Sequence, residues 1–262
     1  MSSGTGLRGW TLITGASAGL GAEFARLAAA EGRDLILAAR RAERMETLAE
    51  ELRKRHKIAV EVIATDLADP EAVELLWRKA AMRRRIDILV NNAGLGASGP
   101  FATTDFEREE ASVRVNVMAL TILMKRAVPH MLAAGGGRIL NVASVAAFMP
   151  GPNLAVYHAT KAYVLALSEG VAEELRGRPV TVTTLCPGPT ATEFAKVAGM
   201  AKVRLFRSMK VRGAAGVAQA GWKAMLHGKR SHVPGLLNRL FAFAPRFASR
   251  PLAARITGLF LK

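Results

Sequence analysis

The sequence predicts an α/β fold in which a parallel sheet lies between layers of helices. Short apolar runs alternate with longer amphipathic segments along most of the chain, which is the order of elements in a doubly wound sheet. Half of the 262 residues are hydrophobic and 24 are glycine, enough for one substantial core with many tight turns. We therefore expect residues 1–262 to form a single domain.

The first strand is predicted over 10–13 and leads into a glycine-rich turn at 14–21, followed by a helix over 22–31. An ordinary strand-to-helix loop is the alternative, but three spaced glycines in this context favour a dinucleotide site. Gly15 allows the tight turn, Gly19 lets the backbone approach a pyrophosphate, and Gly21 lets the helix pack closely on the strand. The first N–H groups of the helix would then face the phosphates.

The second strand is predicted over 34–39, and Arg40 and Arg41 follow it. At this place in a dinucleotide fold an acid favours NAD, whereas an arginine accommodates the 2′-phosphate of NADP. Arg40 is the residue we expect there, with Ser17 of the glycine turn as a further donor. Arg41 is expected to be the solvated start of the next helix, which is predicted over 43–56.

Five more strands are predicted, over 58–64, 86–90, 137–143, 180–185 and 230–233. Several end in polar or small residues, where ligands bind in open α/β sheets. Asp66 would bond an adenine amino group or cap the helix near Pro70, for which Asp69 is the better cap.

Two other strand ends have less specific predictions. The Asn91-Asn92-Ala93-Gly94 run would lock neighbouring strands and leave flat backbone beside a cofactor. Pro187 and Gly188 bring the backbone close to a ligand, within reach of Thr190 or Thr192. Cys186, the only cysteine, is expected to be a small buried hydrophobe, and it excludes an internal disulfide framework.

Tyr157 and Lys161 lie four residues apart in a helix predicted over 154–176, so their side chains share one face. A nearby ammonium favours the phenolate, so we expect Lys161 to lower the pKa of Tyr157 and make it a general acid/base. A half-buried tyrosine beside a solvated lysine is the alternative. Ser144 ends the fifth strand, thirteen residues earlier, and is either a donor to a substrate oxygen or a plain turn serine.

Asn116 falls inside an apolar helix predicted over 106–132, where an amide needs hydrogen-bond partners. It is either a satisfied core amide or the holder of a water near Lys161. Phe148 and Met149 are candidates to line an apolar pocket, and residues 193–213 are expected to form a lid over it.

Together these motifs, in this order, resemble the short-chain dehydrogenase/reductase family over about residues 8–235. The resemblance implies a Rossmann fold with a seven-stranded parallel sheet, helices on both faces, and NADP(H) as cofactor. It implies that Tyr157 is the general acid/base, that Lys161 lowers its pKa and holds the nicotinamide ribose, that Ser144 orients the carbonyl, and that Asn116 holds a relay water. The implied cofactor-binding residues are Gly15, Ser17, Ala18, Gly19, Leu20, Gly21, Arg40, Asp66, Leu67, Asn92, Ala93, Gly94, Tyr157, Lys161, Pro187, Gly188, Thr190 and Thr192.

The function expected on these grounds is hydride transfer between nicotinamide and the carbonyl or alcohol carbon of a small apolar substrate, by a protein that is similar to hydroxysteroid and ketoacyl reductases. The sequence shows no metal-ligand cluster, so polarisation of the substrate oxygen is assigned to the Ser and Tyr hydroxyls. A homodimer or homotetramer is implied by the resemblance. A cofactor sensor on the same fold is a weaker hypothesis, since such proteins typically lose the Tyr or the Lys.

Charge is distributed unevenly along the chain. The net charge is +16, yet residues 194–262 contain 14 Lys and Arg and no acid. The basic, apolar tail over 236–262 would cover the substrate mouth or a subunit interface, lie on an anionic membrane, or attract an acyl carrier or coenzyme A. Nucleic acid is disfavoured because no recognition motif accompanies the charge.

The sequence shows neither a signal peptide nor a transmembrane run, so a cytoplasmic location is expected, with membrane association through the tail as an option.

Overall fold

Residues 9–199 and 212–261 are described by the computed structural model of the chain, and nine strands and ten α-helices occur among them. The strands are β1 (Trp10–Thr14), β2 (Leu35–Ala39), β3 (Val60–Ala64), β4 (Ile86–Asn91), β5 (Gly137–Val142), β6 (Val180–Leu185), β7 (Thr190–Ala191), β8 (Arg212–Gly213) and β9 (Ser231–His232). The helices are α1 (Gly19–Ala30), α2 (Ala42–His56), α3 (Pro70–Ala81), α4 (Phe106–Val113), α5 (Leu120–Ala133), α6 (Ala155–Glu174), α7 (Phe194–Val197), α8 (Ala214–Leu226), α9 (Leu236–Phe243) and α10 (Arg250–Phe260).

Seven of the strands form one parallel sheet in the order β3-β2-β1-β4-β5-β6-β9. The chain winds outward from β1 in one direction to β3, and then returns to β4 on the other side of β1. The predicted fold class is therefore confirmed, including the number of strands. The reversal of direction beside β1 leaves a crevice at the carboxyl ends of β1 and β4, where this architecture binds its ligands.

Each face of the sheet is covered by its own hydrophobic cluster. Leu12 and Ile13 are adjacent in β1 and fully buried, but they belong to different clusters because successive side chains of a strand point to opposite faces. On one face α3 and α6 contribute Trp77 and Val164; on the other α1 contributes Phe24. Such two-sided burial explains why the strands are continuous apolar runs.

The helix predicted as continuous over 106–132 is interrupted. α4 ends at Val113, a π-helical segment covers Arg114–Ala119, and α5 follows. Asn116 lies within the π-helical segment and is 1% exposed. Short π segments within α-helices frequently mark functional sites, because they redirect side chains and backbone groups.

Beyond β6 the chain contains a second small sheet and tail helices whose bounds were not predicted from the sequence. β7 and β8 pair as a separate two-stranded sheet, and the tail forms α9, a 3₁₀ turn (Ala244–Phe247) and α10. Of the predicted lid, residues 200–211 lie outside the described residues, whereas 194–197 form α7. No helix among residues 9–199 and 212–261 is both long and apolar enough to cross a bilayer.

Candidate active site

A cleft of about 540 Å³ opens at the carboxyl end of the sheet, within the range usual for ligand sites. It brings together nearly all of the predicted site residues: Gly15, Ser17, Ala18, Gly19, Leu20, Arg40, Asp66, Leu67, Asn92, Ala93, Gly94, Ser144, Tyr157, Lys161, Pro187, Gly188, Thr190 and Thr192. The two others, Gly21 and Asn116, lie behind the cleft wall and act on it through their neighbours.

The glycine turn is packed directly against the end of β4. Gly15 has a φ of +65°, and a Cβ atom there would lie 2.8 Å from Cα of Ala93. Asn92 holds the turn in place, because its Nδ2 donates to the carbonyl oxygens of Thr14 at 3.0 Å and Gly15 at 3.2 Å. This confirms the predicted side-chain lock between the two strand ends.

The amino end of α1 faces the cleft behind this turn. The helix begins at Gly19, and Ala18, which precedes it, has no side-chain oxygen to cap the first N–H groups. A Cβ atom on Gly21 would overlap the Gly15 carbonyl oxygen, so only glycine lets the helix approach the strand this closely. The open helix end and its close backbone approach suit the phosphates of a dinucleotide.

Arg41, rather than Arg40, is the arginine that contacts the glycine turn. Its Nη2 donates to Oγ of Ser17 at 3.1 Å and its Nε to the same oxygen at 3.3 Å. Arg41 precedes α2 and is half exposed, as predicted, and its contact with Ser17 is an addition that the sequence analysis did not foresee. Arg40 lines the cleft and is exposed.

A carboxylate already pairs with this arginine. Glu193 contacts Nη1 of Arg41 at 2.9 Å and Nη1 of Arg44 at 2.7 Å. The guanidinium groups of Arg44 and Arg41 lower the pKa of the Glu193 carboxyl, so it is ionised at neutral pH. This contact was not predictable from the sequence, because Arg41 and Glu193 are 152 positions apart.

Asp66 lies at the other side of the cleft, after β3. One of its carboxylate oxygens accepts a hydrogen bond from the Ala68 N–H at 3.0 Å, within its own turn. The predicted cap of α3 is Asp69, and it does accept from the Glu71 N–H at 2.9 Å. Asp66 therefore does not cap α3, and it is exposed in the cleft wall beside Leu67.

Tyr157 and Lys161 lie one turn apart on α6, as their spacing predicted. The Lys161 ammonium is 5.9 Å from the centroid of the Tyr157 ring and donates to the Val142 carbonyl oxygen at 3.0 Å. Burial lowers the pKa of Lys161 to about 8. Burial also raises the pKa of Tyr157 to about 12, while a hydrogen bond with Ser144 acts in the opposite direction. The pKa of Tyr157 is therefore raised in the protein alone, mainly by desolvation, and the lowering that we expected from Lys161 is not observed.

Ser144 is held between β5 and the turn after β6. Its Oγ accepts from the Ala146 N–H at 3.1 Å and donates to the Pro187 carbonyl oxygen at 3.4 Å. The serine is therefore a positioned group next to Tyr157, and it also caps the short 3₁₀ turn Val145–Phe148.

Cys186 is buried, and desolvation raises its thiol pKa to about 12, in keeping with the predicted apolar role.

Asn116 is satisfied by protein groups. Its Nδ2 donates to the Leu95 carbonyl oxygen and to Oγ1 of Thr160, each at 2.9 Å, and its Oδ1 accepts from the Leu95 N–H at 2.8 Å. The residue ties the loop after β4 to α6. A Cβ on Gly94 would lie 3.3 Å from both Asn116 Oδ1 and Lys161 Nζ, so these two groups flank the same stretch of backbone.

The remaining half of the cleft is apolar and is formed largely by elements late in the chain. The ring of Phe194 in α7 lies 5.5 Å from that of Tyr157, and the rings of Phe241 and Phe260 lie 6.0 Å apart. Other apolar side chains that line this half are Met149, Leu154, Val197, Ile256 and Leu261. Phe148 packs against the core cluster instead. The tail therefore covers one side of the cleft, which agrees with the interpretation of its sequence that placed it over the predicted substrate mouth.

Comparisons with known proteins agree with this geometry. The family model described as short chain dehydrogenase matches residues 9–202. A short-chain dehydrogenase from Sphingobium yanoikuyae, solved in complex with NADPH, is 35% identical, with a TM-score of 0.81 and coverage of 93% of this chain and 94% of that one. A bulky-bulky ketone specific alcohol dehydrogenase from Comamonas testosteroni is 30% identical, with a TM-score of 0.76 and coverage of 91% and 93%.

One curated relative is considerably longer than this chain. The very-long-chain 3-oxoacyl-CoA reductase of Anas platyrhynchos is 29% identical over 198 residues, which make up 74% of this chain and 64% of the relative. The match therefore spans less than two thirds of that protein's length.

Proposed function

Because the chain belongs to the short-chain dehydrogenase family, we propose that it is an NADP(H)-dependent oxidoreductase that reduces the carbonyl group of an apolar substrate or oxidises the corresponding alcohol. The observation that supports this most is the convergence of Ser144, Tyr157 and Lys161 in the cleft that also contains the glycine turn. Positioned hydroxyls and a buried ammonium are the groups that a carbonyl needs when charge develops on its oxygen.

The residues of the cleft fit an NADP-type cofactor. The narrow glycine turn and the open end of α1 suit a pyrophosphate, and Ser17 and Arg41 are paired donors beside them. An arginine with a hydroxyl partner suits a 2′-phosphate better than a bare ribose, which favours NADP(H) over NAD(H). The Sphingobium relative was solved with NADPH, which supports the same choice. When bound, the nicotinamide supplies the hydride.

In the direction of reduction, Tyr157 donates the proton. With a pKa of about 12 its hydroxyl is protonated at neutral pH, so it is ready to give a proton to a substrate oxygen as negative charge develops there. Ser144 is the second hydroxyl at this position and would donate to the same oxygen. In the direction of oxidation, the same tyrosine accepts the proton from the alcohol.

Lys161 stabilises the tyrosinate left behind and contributes to holding the nicotinamide ribose. It is 4% exposed, and the field of a buried ammonium 5.9 Å from the ring is screened little by water. Its pKa of about 8 keeps most molecules charged at pH 7. Asn116 fixes the loop and the helix on either side of this lysine through its hydrogen bonds to Leu95 and Thr160. Its further role in the proposed mechanism is to hold a relay water.

The apolar half of the cleft indicates the substrate class. Phe194 packs on Tyr157, while Phe241 and Phe260 contact each other and line the same cleft. A carbonyl compound bound next to these side chains would carry bulky hydrocarbon groups, whose burial in the cleft is favourable. The relative from Comamonas testosteroni, named for bulky-bulky ketones, supports this substrate class.

The proposed enzyme is a homodimer or homotetramer, the usual state in the family. Exposed side chains on three neighbouring elements support an interface there. Val113 on α4, Met118 on the π-helical segment and Tyr163 on α6 are each more than a third exposed, and these three elements pack side by side. Light scattering after size exclusion measures the assembly directly.

A reductase assay with a panel of bulky aryl and alkyl ketones tests the proposed chemistry. We expect wild type to oxidise NADPH with at least one ketone of the panel. Tyr157→Phe, which removes only the hydroxyl, should lower kcat/KM by about 10² to 10⁴. Tyr163→Phe removes the only other tyrosine hydroxyl and should leave the rate unchanged, since that group lies away from the cleft and bonds Thr121.

Binding of NADPH by Tyr157→Phe, followed by fluorescence, shows whether the variant retains the cofactor site. A Tyr157→Phe protein that binds NADPH and still reduces the ketone at the wild-type rate would contradict the role of the tyrosine.

A further inference from the structure

The two tail helices turn large apolar side chains toward solvent. On α9, Leu236, Leu240 and Phe243 follow one another at i, i+4 and i+7, and they are between 51% and 82% exposed. The buried positions of the same helix are Asn238 and Ala242. The helix therefore presents its larger apolar face outward, the reverse of the usual arrangement on a protein surface.

α10 repeats this pattern. Leu252, Ile256 and Leu259 share one face at the same spacing and are between 45% and 61% exposed, while Ala253 and Thr257 are buried. We name the exposed face of α9 and α10, together with Phe247 in the turn between them, the tail face. Phe247 is 79% exposed. Its ring lies 5.2 Å from that of Phe243, so the turn continues the exposed face of α9. A cluster of exposed apolar side chains of this kind marks an interaction site.

The charges beside the tail face are of one sign. Arg239, Arg246, Arg250 and Arg255 are exposed on the same two helices and the turn, and residues 194–262 contain no Asp or Glu. One of these arginines lies over an apolar ring of the face: the Arg246 guanidinium is 5.5 Å from the centroid of Phe243. The partner of the tail face must therefore accept hydrocarbon side chains and supply negative charge around them.

We propose that the tail face docks onto the surface of a bilayer that contains anionic lipid. Leucine and phenylalanine enter the boundary between headgroups and acyl chains, and the flanking arginines contact lipid phosphates, as in interfacial amphipathic helices. A second copy of the chain fits less well, because two tail faces related by a two-fold axis would bring arginines together with no carboxylate from this region.

The tail face is continuous with the substrate region. Ile256 belongs to the face and also lines the cleft, and Phe260, which is 40% exposed, lines the cleft beside Phe241. A protein docked through this face would therefore have the apolar side of its cleft near the hydrocarbon of the bilayer. Delivery of an apolar substrate by this route rests on the proposed function, whereas the docking itself does not.

Co-sedimentation of the full-length protein with vesicles tests the docking. We expect wild type to bind vesicles of mixed phosphatidylcholine and phosphatidylglycerol, and to bind pure phosphatidylcholine at least about ten-fold more weakly. Leu240→Glu and Phe247→Glu, each in an exposed position, should weaken binding to the mixed vesicles by about ten-fold or more. Met82→Glu is the control: it introduces a glutamate at an exposed methionine at the end of α3, away from the tail, and should bind like wild type.

Three results would overturn the proposal. One is equal binding to mixed vesicles by wild type and both tail variants. A second is a change from dimer to monomer in Leu240→Glu, measured by light scattering without lipid, which would assign the face to self-association. A third is capture by an acidic acyl carrier protein with no binding to vesicles. Titration of each variant with NADPH separates these results from a failure of the cofactor site, because the substituted positions make no contact with the glycine turn.

Discussion

The close packing of the glycine turn makes Gly21→Ala the most sharply defined perturbation of the cofactor site. The added Cβ would overlap the carbonyl oxygen of Gly15 and lie 2.7 Å from Nδ2 of Asn92. Both neighbours are held, one as backbone and the other by its hydrogen bonds to the turn, so neither can move away cheaply. Overpacking of this kind lowers the free energy of unfolding by about 1–3 kcal/mol. The better helix propensity of alanine offsets about 1 kcal/mol of that loss.

The expected net loss is therefore up to about 2 kcal/mol, which corresponds to a fall in Tm of up to about 8 °C for a chain of this size. Because the strain is relieved by moving the turn, the affinity for NADPH should fall by about ten-fold as well. Gly170→Ala is the matched control: it lies in the exposed part of α6 with no heavy atom within 4 Å of the added Cβ. That variant should gain about 0.5–1 kcal/mol and bind NADPH like wild type. Equal stability and equal NADPH affinity in the two variants, measured by calorimetry and titration, would refute the packing argument.

Two further predictions concern charged groups of the cleft. Burial lowers the pKa of Lys161 to about 8, so between this pH and about pH 10 the folded protein has released a proton that the unfolded chain retains. The free energy of unfolding without cofactor, measured by urea unfolding, should therefore rise from pH 8 to pH 10 relative to that of Lys161→Met. The same pH dependence in wild type and Lys161→Met would contradict the lowered pKa of Lys161. Glu193→Gln removes the carboxylate that pairs with Arg41 while keeping its size, so the affinity for NADPH should rise a few-fold, with that for NADH unchanged. A weaker NADPH complex would show instead that Glu193 orients the arginine usefully.

The fold and the location of the site were predictable because each rests on local patterns. Strand-forming runs, the spaced glycines and the four-residue separation of Tyr157 and Lys161 all depend on neighbours in the chain. Parallel strands then place their carboxyl ends at one edge, which is why residues as distant as Gly15 and Pro187 could be assigned to one cleft. The single-domain organisation and the chemical roles of the site residues stay predictions.

Features that depend on distant contacts were not predictable. The contact of Arg41 with Ser17 and Glu193 needs the folded positions of three separate segments. The raised pKa of Tyr157 depends on burial, to which Phe194 contributes from α7, and no local pattern places that ring. The exposure of the tail was also not decided by its sequence, because apolar residues at helical spacing normally indicate a buried face, whereas Leu240 and its neighbours are exposed.

Calorimetric titration with NADPH and NADH tests the assignment of the cleft most directly. The protein should bind NADPH at least about ten-fold more tightly than NADH, since an arginine–phosphate contact contributes on the order of 1.5–3 kcal/mol. Arg41→Ala should remove most of this difference, and Arg40→Ala should remove less of it. Failure of wild type to bind either nucleotide, or tighter binding of NADH, would contradict the account of this cleft as an NADP(H) site.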